Sequence, residues 1–281
     1  MSFVPEIVSV LVPGVSDAGD CVPDIWCSVS GTGPLVAFLH GIGGNRSNWT
    51  AQAVMVAEMG FRAVAIDARG YGDSGFVPPA DFRDYADDVA RVIRHFGGPA
   101  HIVGLSMGGR IGLDLYGRHR ACVASLTLAD TSAGSAEARD PQSVAAAVAL
   151  RAQPLLDGKT PADIAPAIVA RLAGPGISDA AHARLIASHA ALKVPAYLAA
   201  LGAVIAFDDF PPWDTIDVPV QLIVGEHDRI APPAHARAMG AAIPGARLAE
   251  IPGAGHVSNI EAPEAFNAIL AAFLAELRVP A

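Results

Sequence analysis

The sequence predicts an α/β fold with a mostly parallel central sheet, flanked by helices and interrupted by a helical insertion. Short apolar runs alternate with helical patterns along most of the 281 residues, as in parallel sheets with helical crossovers. One serine lies in a glycine-bounded turn between a strand and a helix. Residues 131–213 show no strand-like run. We therefore expect core segments 1–130 and 214–281, with residues 131–213 forming a helical cap after the strand that follows the serine turn.

The first third of the chain predicts a hairpin and a buried strand. Strand-like segments at 7–12 and 21–29 flank a glycine-containing turn, as in an antiparallel hairpin. An apolar strand at 35–39 leads into the glycine-rich loop 40–49. Such a loop exposes backbone N–H groups that can cradle a phosphate or stabilise an oxyanion. It lacks the Lys-Ser or Lys-Thr pair of a phosphate loop, which favours the oxyanion, and we interpret His40 as a histidine that braces the loop.

A second glycine-rich loop follows the next predicted strand. A helix at 47–59 and a strand at 62–67 lead into Gly70-Tyr71-Gly72-Asp73-Ser74-Gly75, which formally matches the dinucleotide fingerprint. That fingerprint must open a helix directly, whereas the next helical pattern starts near Asp81, beyond two prolines. We therefore interpret the segment as a tight loop without a dinucleotide. Asp81 is expected to cap a helix that ends at His95.

The serine turn is Gly104-Leu105-Ser106-Met107-Gly108, which fits a nucleophile elbow. An apolar strand at 100–103 precedes it, and helical spacing at 109–116 follows it. Side chains at Gly104 and Gly108 would crowd a serine held in an unfavourable region of φ/ψ. The pentapeptide is short, so its interpretation depends on the other motifs of the chain.

The remaining elements place further polar groups beside this serine. A strand at 123–130 precedes the insertion, and strands at 218–225 and 246–251 follow it. A helical insertion at this place would lie over the serine, exclude water and shape a pocket. The predicted helices are 142–156, 161–172, 180–192 and 195–205 within the insertion, and 233–242 and 263–277 after it.

Asp228 and His256 follow strands and are expected to meet Ser106 at the carboxyl edge of the sheet. A serine hydroxyl becomes a good nucleophile when a neutral imidazole takes its proton and a carboxylate orients that imidazole. The chain order Ser, Asp, His matches one known arrangement. We predict Ser106 as nucleophile, His256 as base and Asp228 as the orienting acid. Asp130 also ends a strand near the elbow and is the rival for the acid.

Composition excludes several classes of partner. A net charge of −9 without a basic cluster argues against nucleic acid and anionic membranes. The cysteines Cys21, Cys27 and Cys122 are too few and too irregular for a disulfide framework or a zinc site, and are expected to be buried thiols. No signal peptide is visible, and the longest apolar run, 194–207, is shorter than the roughly 20 residues of a membrane span. We expect a cytoplasmic protein with a small-molecule substrate and no metal or organic cofactor. The sequence leaves the oligomeric state open.

Five motifs in order resemble the α/β-hydrolase superfamily. They are His40-Gly41, Asp67-Ala68-Arg69-Gly70-Tyr71-Gly72-Asp73-Ser74, Gly104-Leu105-Ser106-Met107-Gly108-Gly109, Gly225-Glu226-His227-Asp228 and Gly255-His256. The serine motif and the segment 255–266 look like the 3-oxoadipate enol-lactonase group, although loop 40–44 is esterase-like and Tyr71 stands where that group frequently has histidine. The resemblance implies that Ser106 attacks a lactone carbonyl and that the backbone N–H groups of Ile42 and Met107 hold the oxyanion.

Hydrolysis of a small ester or lactone through an acyl-enzyme is the favoured function. The same three residues would also serve hydrolysis of a carbon–carbon bond in a vinylogous diketone acid, and a hydrolase fold can act as a ligand receptor with little turnover. Dehalogenation and epoxide opening use an aspartate nucleophile and are disfavoured because position 106 is serine. Trp213, Val257 and Arg151 are the candidate substrate contacts.

Overall fold

The computed structural model describes residues 5–15, 21–79, 81–134 and 140–277. Its eight strands form one sheet in the order β1-β2-β4-β3-β5-β6-β7-β8. The first two pairings, β1 with β2 and β2 with β4, are antiparallel, and the others are parallel. The predicted mostly parallel sheet is confirmed. The strands are β1 (Ile7–Val12), β2 (Ile25–Ser30), β3 (Leu35–Leu39), β4 (Arg62–Ile66), β5 (Ala100–Leu105), β6 (Val123–Ala129), β7 (Val220–Gly225) and β8 (Arg247–Ile251).

Helices connect the strands and cover both faces of the sheet. Two helices have the predicted bounds, because proline at the first helical position marks where each begins. The helices are α1 (Thr50–Glu58), α2 (Arg83–Phe96), α3 (Met107–Arg118), α4 (Pro141–Leu156), α5 (Pro161–Leu172), α6 (Asp179–Ala190), α7 (Val194–Ala206), α8 (Pro233–Ala242), α9 (Ser258–Glu261) and α10 (Pro263–Glu276).

The predicted hairpin and the cap of α2 need correction. The antiparallel pairing of β1 and β2 is confirmed, but β2 begins at Ile25 rather than at residue 21, and most of the turn, residues 16–20, lies outside the described residues. Pro23 has no N–H for a strand ladder, which delays β2. Asp81 lies one residue before the helix N-cap position, although its carboxylate accepts a hydrogen bond from the Arg83 N–H at 2.7 Å.

The loop after β4 forms tight turns, as predicted. The Gly70 N–H donates to the Gly75 carbonyl at 2.8 Å, and the Ser74 N–H donates to the Tyr71 carbonyl at 3.0 Å. No helix starts at Gly75, since α2 begins at Arg83. The loop therefore lacks the helix N-terminus on which a dinucleotide pyrophosphate would lie.

The core consists of two apolar layers, one on each face of the sheet. Alternate residues of a strand point to opposite faces, so β3 contributes Leu35 and Leu39 to one layer and Phe38 to the other. Trp49 and Phe266 pack in the layer of Phe38, with ring centroids of Phe38 and Trp49 5.2 Å apart. Burial on both faces explains why the central strands are almost entirely apolar.

Four helices, α4 to α7, lie between β6 and β7, and no strand interrupts them in the described part of residues 131–213. Leu155, Ile164, Tyr197 and Leu201 from three of these helices form an apolar cluster, against which Ile42 of the loop after β3 packs. The insertion therefore contacts the carboxyl edge of the sheet, where Ser106 lies.

Within the described residues, none of the helices alone combines the length and the apolar composition of a membrane span. The helices α6 and α7 reach that length only as a pair, and the chain bends by 99° between them.

Candidate active site

Ser106 occupies a sharp turn between β5 and α3. Its φ of +54° lies in a region that residues other than glycine rarely adopt. A Cβ on Gly104 would overlap with the Gly108 backbone, and a Cβ on Gly108 would overlap with the Leu39 carbonyl. The Ser106 N–H donates to the Ala129 carbonyl of β6 at 2.9 Å. Close backbone packing thus requires both glycines and holds the serine side chain at the carboxyl edge of the sheet.

The structure brings Ser106, His256 and Asp228 together. The Ser106 Oγ lies 2.9 Å from His256 Nε2, and His256 Nδ1 lies 2.8 Å from Asp228 Oδ2. Because an ionised carboxylate only accepts, Nδ1 carries the imidazole hydrogen, and Nε2 has a lone pair for the serine proton. The second oxygen of Asp228 accepts from the N–H groups of Ile230 and Ala231 at 2.8 and 2.9 Å. These contacts fix the carboxylate and, through it, the imidazole.

Asp130, the rival acid, is buried beside this group without a hydrogen bond to His256. Its Oδ1 accepts from the Gly225 N–H at 2.9 Å, and its Oδ2 accepts from the Ser258 N–H and hydroxyl at 3.0 and 2.6 Å. Burial raises the pKa of Asp130 to about 7; the negative charge of Asp228 acts in the same direction, while His256 opposes it. Asp130 ties the ends of β6 and β7 to the segment after the histidine, and Asp228 is the carboxylate that contacts His256.

We expect the ionisation of Asp130 to lower the free energy of unfolding as the pH rises. The pKa of Asp130 is about 7 in the folded chain and near 4 in the unfolded chain, so the folded state binds more protons between these values. The free energy of unfolding therefore falls across this window, by at most about 4 kcal/mol. Urea unfolding of wild type and Asp130→Asn, at pH values below, within and above the window, measures it. A difference between the two proteins that is independent of pH would contradict the expectation.

The loop that carries His256 is also fixed to the insertion. The His256 N–H donates to the Leu172 carbonyl at the end of α5 at 2.8 Å. The Glu261 carboxylate accepts from the N–H groups of Gly174, Gly255 and Val257 at 2.7, 3.1 and 3.2 Å. Glu261 was not predicted as a site residue. The signal in the sequence was its place five residues after His256, shortly before the proline that begins α10.

His40 braces the loop after β3, as predicted. Its Nδ1 lies 2.8 Å from the Gly41 carbonyl oxygen, and its Nε2 accepts from the Ala68 N–H at 3.1 Å. Burial lowers the pKa of His40, so the ring is neutral and Nδ1 carries its hydrogen. A Cβ on Gly41 would lie 3.1 Å from the Ser106 Cβ, so the loop passes very close to the serine.

The loop after β3 and the start of α3 each present one backbone N–H donor near Ser106. The N–H groups of Ile42 and Met107 donate to no acceptor within residues 5–15, 21–79, 81–134 and 140–277. Met107 is the first residue of α3, and the first N–H groups of a helix have no intrahelical partner. Both are the groups that the resemblance implied as oxyanion donors.

Trp213, a predicted substrate contact, lies where the insertion returns to the sheet and is partly buried against the core. It begins the 3-10 helix Trp213–Thr215 just before β7, at the end of the strand opposite to Asp228. The Thr215 carbonyl accepts from the Tyr116 hydroxyl at 2.8 Å. Tyr116 lies near the far end of α3, about 14 Å along the helix from its serine end. The insertion thus returns to the start of β7 along the far end of α3.

The other two candidate contacts differ from each other. Arg151 is exposed on α4, and its guanidinium donates to the Ala147 carbonyl of the same helix at 2.9 Å. Val257 is buried directly after His256. Its place next to the imidazole keeps it a candidate for contact with a substrate.

The described residues hold no group of three or more His, Cys, Asp or Glu side chains that could bind a metal ion. The three cysteines are free thiols. Cys27 and Cys122 are buried as predicted, and burial raises the pKa of Cys27 to about 12. The prediction was wrong for Cys21, which is exposed because it precedes the delayed start of β2.

The protein is therefore an α/β protein with a mostly parallel sheet, in which a serine at a strand–helix turn faces an imidazole and, beyond it, a carboxylate. The chain belongs to the alpha/beta hydrolase family, whose model matches residues 36–269. This confirms the resemblance and the predicted fold class.

Three known proteins illustrate the similarity. A pimeloyl-[acyl-carrier protein] methyl ester esterase of Neisseria meningitidis is 30% identical over 85% of this chain and 93% of its own length. The acetyltransferase component of an acetoin cleaving system of Pseudomonas putida is 31% identical over 89% of this chain, which spans 66% of that relative. The crystal structure of an enol-lactonase from Burkholderia xenovorans matches with a TM-score of 0.78 and 26% identity, over 90% of this chain and 97% of the other.

Proposed function

We propose that the protein is a serine hydrolase that cleaves a small carboxylic ester or lactone through an acyl-enzyme. The observation that carries the proposal is the pair of contacts from Ser106 Oγ to His256 Nε2 and from His256 Nδ1 to Asp228 Oδ2, at 2.9 and 2.8 Å. This arrangement can remove the serine proton and stabilise the resulting imidazolium.

In the acylation step, Ser106 Oγ forms a bond to the carbonyl carbon while its proton moves to His256 Nε2. The carbonyl oxygen becomes an oxyanion, for which the N–H groups of Ile42 and Met107 are the available donors. The C–O bond to the alcohol then breaks, and His256 returns the proton to the leaving oxygen. Water, deprotonated by the same imidazole, attacks the acyl-enzyme and releases the acid.

We further propose that residues 131–213 act as a cap over the serine. The apolar cluster of α4, α5 and α7 packs against Ile42, the residue that offers one of the two oxyanion donors. Apolar walls exclude water and strengthen the electrostatic contacts of the site. Val257, next to the base, is the proposed contact with the substrate from the core.

The relatives support an ester or lactone as substrate. One is a methyl ester esterase and another an enol-lactonase. Hydrolysis of a carbon–carbon bond and a receptor role with little turnover are the other outcomes that a substrate test distinguishes.

A panel of p-nitrophenyl acetate and butyrate, a γ-enol-lactone and a 2-hydroxy-6-ketodienoate tests the proposal. We expect many turnovers per enzyme with an ester or the lactone, and the rate of a Ser106→Ala variant serves as the blank. Preference for the ketodienoate would assign carbon–carbon hydrolysis. If the reaction stops after one equivalent of product per protein with every substrate, the proposal of an enzyme is contradicted and a ligand receptor is favoured.

A further inference from the structure

We propose that Ser188, on α6 of the insertion, is a positioning residue for the oxyanion hole, and this inference rests on the proposed function. Two hydrogen-bonded peptide groups connect its hydroxyl to the Ile42 N–H. Ser188 was not predicted as a site residue.

The first step is the contact between α6 and the loop after β3. The Ser188 Oγ lies 2.8 Å from the Gly43 carbonyl oxygen and 3.3 Å from Asn48 Oδ1. A serine hydroxyl has one proton, and the shorter distance assigns it to Gly43. The same oxygen accepts from Asn45 Nδ2 at 3.4 Å, which orients the hydroxyl towards Gly43.

The second step runs through the turn 41–44. The Gly43 carbonyl and the Gly44 N–H belong to one planar peptide group, so Ser188 sets the direction of both. The Gly44 N–H donates to the Gly41 carbonyl at 3.0 Å. The Gly41 carbonyl in turn shares a planar group with the Ile42 N–H. Ser188 therefore influences where the Ile42 N–H points, and the linked hydrogen bonds polarise one another.

The shape of the turn keeps this connection in place. Gly43 has a φ of +87° at the third position of the turn, which favours glycine. A Cβ on Gly43 would also overlap with the imidazole of His189, the residue after Ser188. His189 is buried, burial lowers its pKa, and its Nδ1 donates to the Leu185 carbonyl of the same helix at 2.9 Å. The neutral ring covers Gly43 and holds α6 against the turn.

His40 also holds the Gly41 carbonyl, with its Nδ1 2.8 Å from the carbonyl oxygen. Ser188 is thus the contribution of the insertion to an orientation that the core also supports. Removing the Ser188 hydroxyl should therefore loosen the orientation of the Ile42 N–H without abolishing it. The loss in kcat should stay below the ~10²–10³-fold that follows removal of a direct oxyanion donor.

The experiment compares Ser188→Ala with Ser178→Ala, which removes a hydroxyl at the start of the same helix, where Ser178 Oγ accepts from the Ala181 N–H at 3.2 Å. We expect Ser188→Ala to lower kcat about tenfold with KM nearly unchanged. It should weaken binding of phenylboronic acid, whose tetrahedral adduct places an oxygen in the oxyanion hole, by the same factor. Ser178→Ala should lower the melting temperature and change neither kcat nor the boronic acid affinity.

Three results would overturn the inference: an unchanged kcat in Ser188→Ala, a lower kcat with unchanged boronic acid affinity, or equal losses in both variants. The last would mean that the stability of α6, and not the hydroxyl at position 188, matters. Wild type without turnover on any ester or lactone would instead overturn the proposed function, so the two failures are distinguishable.

Discussion

Ser106→Ala should lower kcat on the best ester or lactone substrate by about 10⁶-fold, because it removes the proposed nucleophile, the oxygen atom that would form the acyl-enzyme. The Ser106 Oγ is the group that His256 Nε2 contacts at 2.9 Å, and no acyl-enzyme can form on a methyl group. Substrate binding should persist, since the N–H groups of Ile42 and Met107 belong to the backbone and are unchanged.

The variant should fold, which makes the test decisive. Alanine experiences the same unfavourable φ of +54° as serine, and the glycines that permit the turn are untouched. Steady-state rates, a thermal unfolding curve and labelling by a fluorophosphonate, which reacts with activated serines, would be measured together. His256→Ala serves as the matched control, because it keeps the serine but removes its base and should lose labelling as well. A folded Ser106→Ala protein within tenfold of wild type would show that the nucleophile lies elsewhere.

The residues that meet at this edge of the sheet could be predicted because each depends on local patterns. Glycines on both sides of Ser106 identify the turn, and Asp228 and His256 each follow a recognisable strand. Parallel strands bring their carboxyl ends to one edge, so chain order and strand assignment sufficed to place the three side chains together. The same logic left Asp130 as a rival, since it also ends a strand.

Features that depend on contacts between distant segments could not be predicted in this way. The Glu261 carboxylate binds three N–H groups from two segments, one of them 87 residues away at Gly174. Ser188 contacts Gly43 across 145 residues. The path of the segment that follows Trp213 is likewise set by a distant contact, the hydrogen bond from the Tyr116 hydroxyl to the Thr215 carbonyl.

Two buried carboxylates, Asp228 and Asp130, are candidates for the group that orients His256, and activity measurements can distinguish them. Asp228 contacts His256 Nδ1, whereas Asp130 binds Gly225 and Ser258. Asp130 also lies close enough to both residues for the charge of Asp228 to raise its pKa and for His256 to oppose that rise. Electrostatic proximity alone would give the two carboxylates similar importance, while a hydrogen bond that fixes the imidazole tautomer would give Asp228 a much larger role.

We expect Asp228→Asn to lower kcat by about 10⁴-fold, because an amide N–H facing His256 Nδ1 favours the tautomer with its hydrogen on Nε2, which cannot accept the serine proton. Asp130→Asn is the matched control, because it makes the same change in a neighbouring carboxylate that has no hydrogen bond to the imidazole. Its expected loss in kcat is about tenfold or less. Both variants would be compared below their unfolding temperatures, with rates measured across the pH range. Equal losses would mean that charge near the imidazole matters more than its tautomer. A larger loss in Asp130→Asn would make Asp130 the orienting acid.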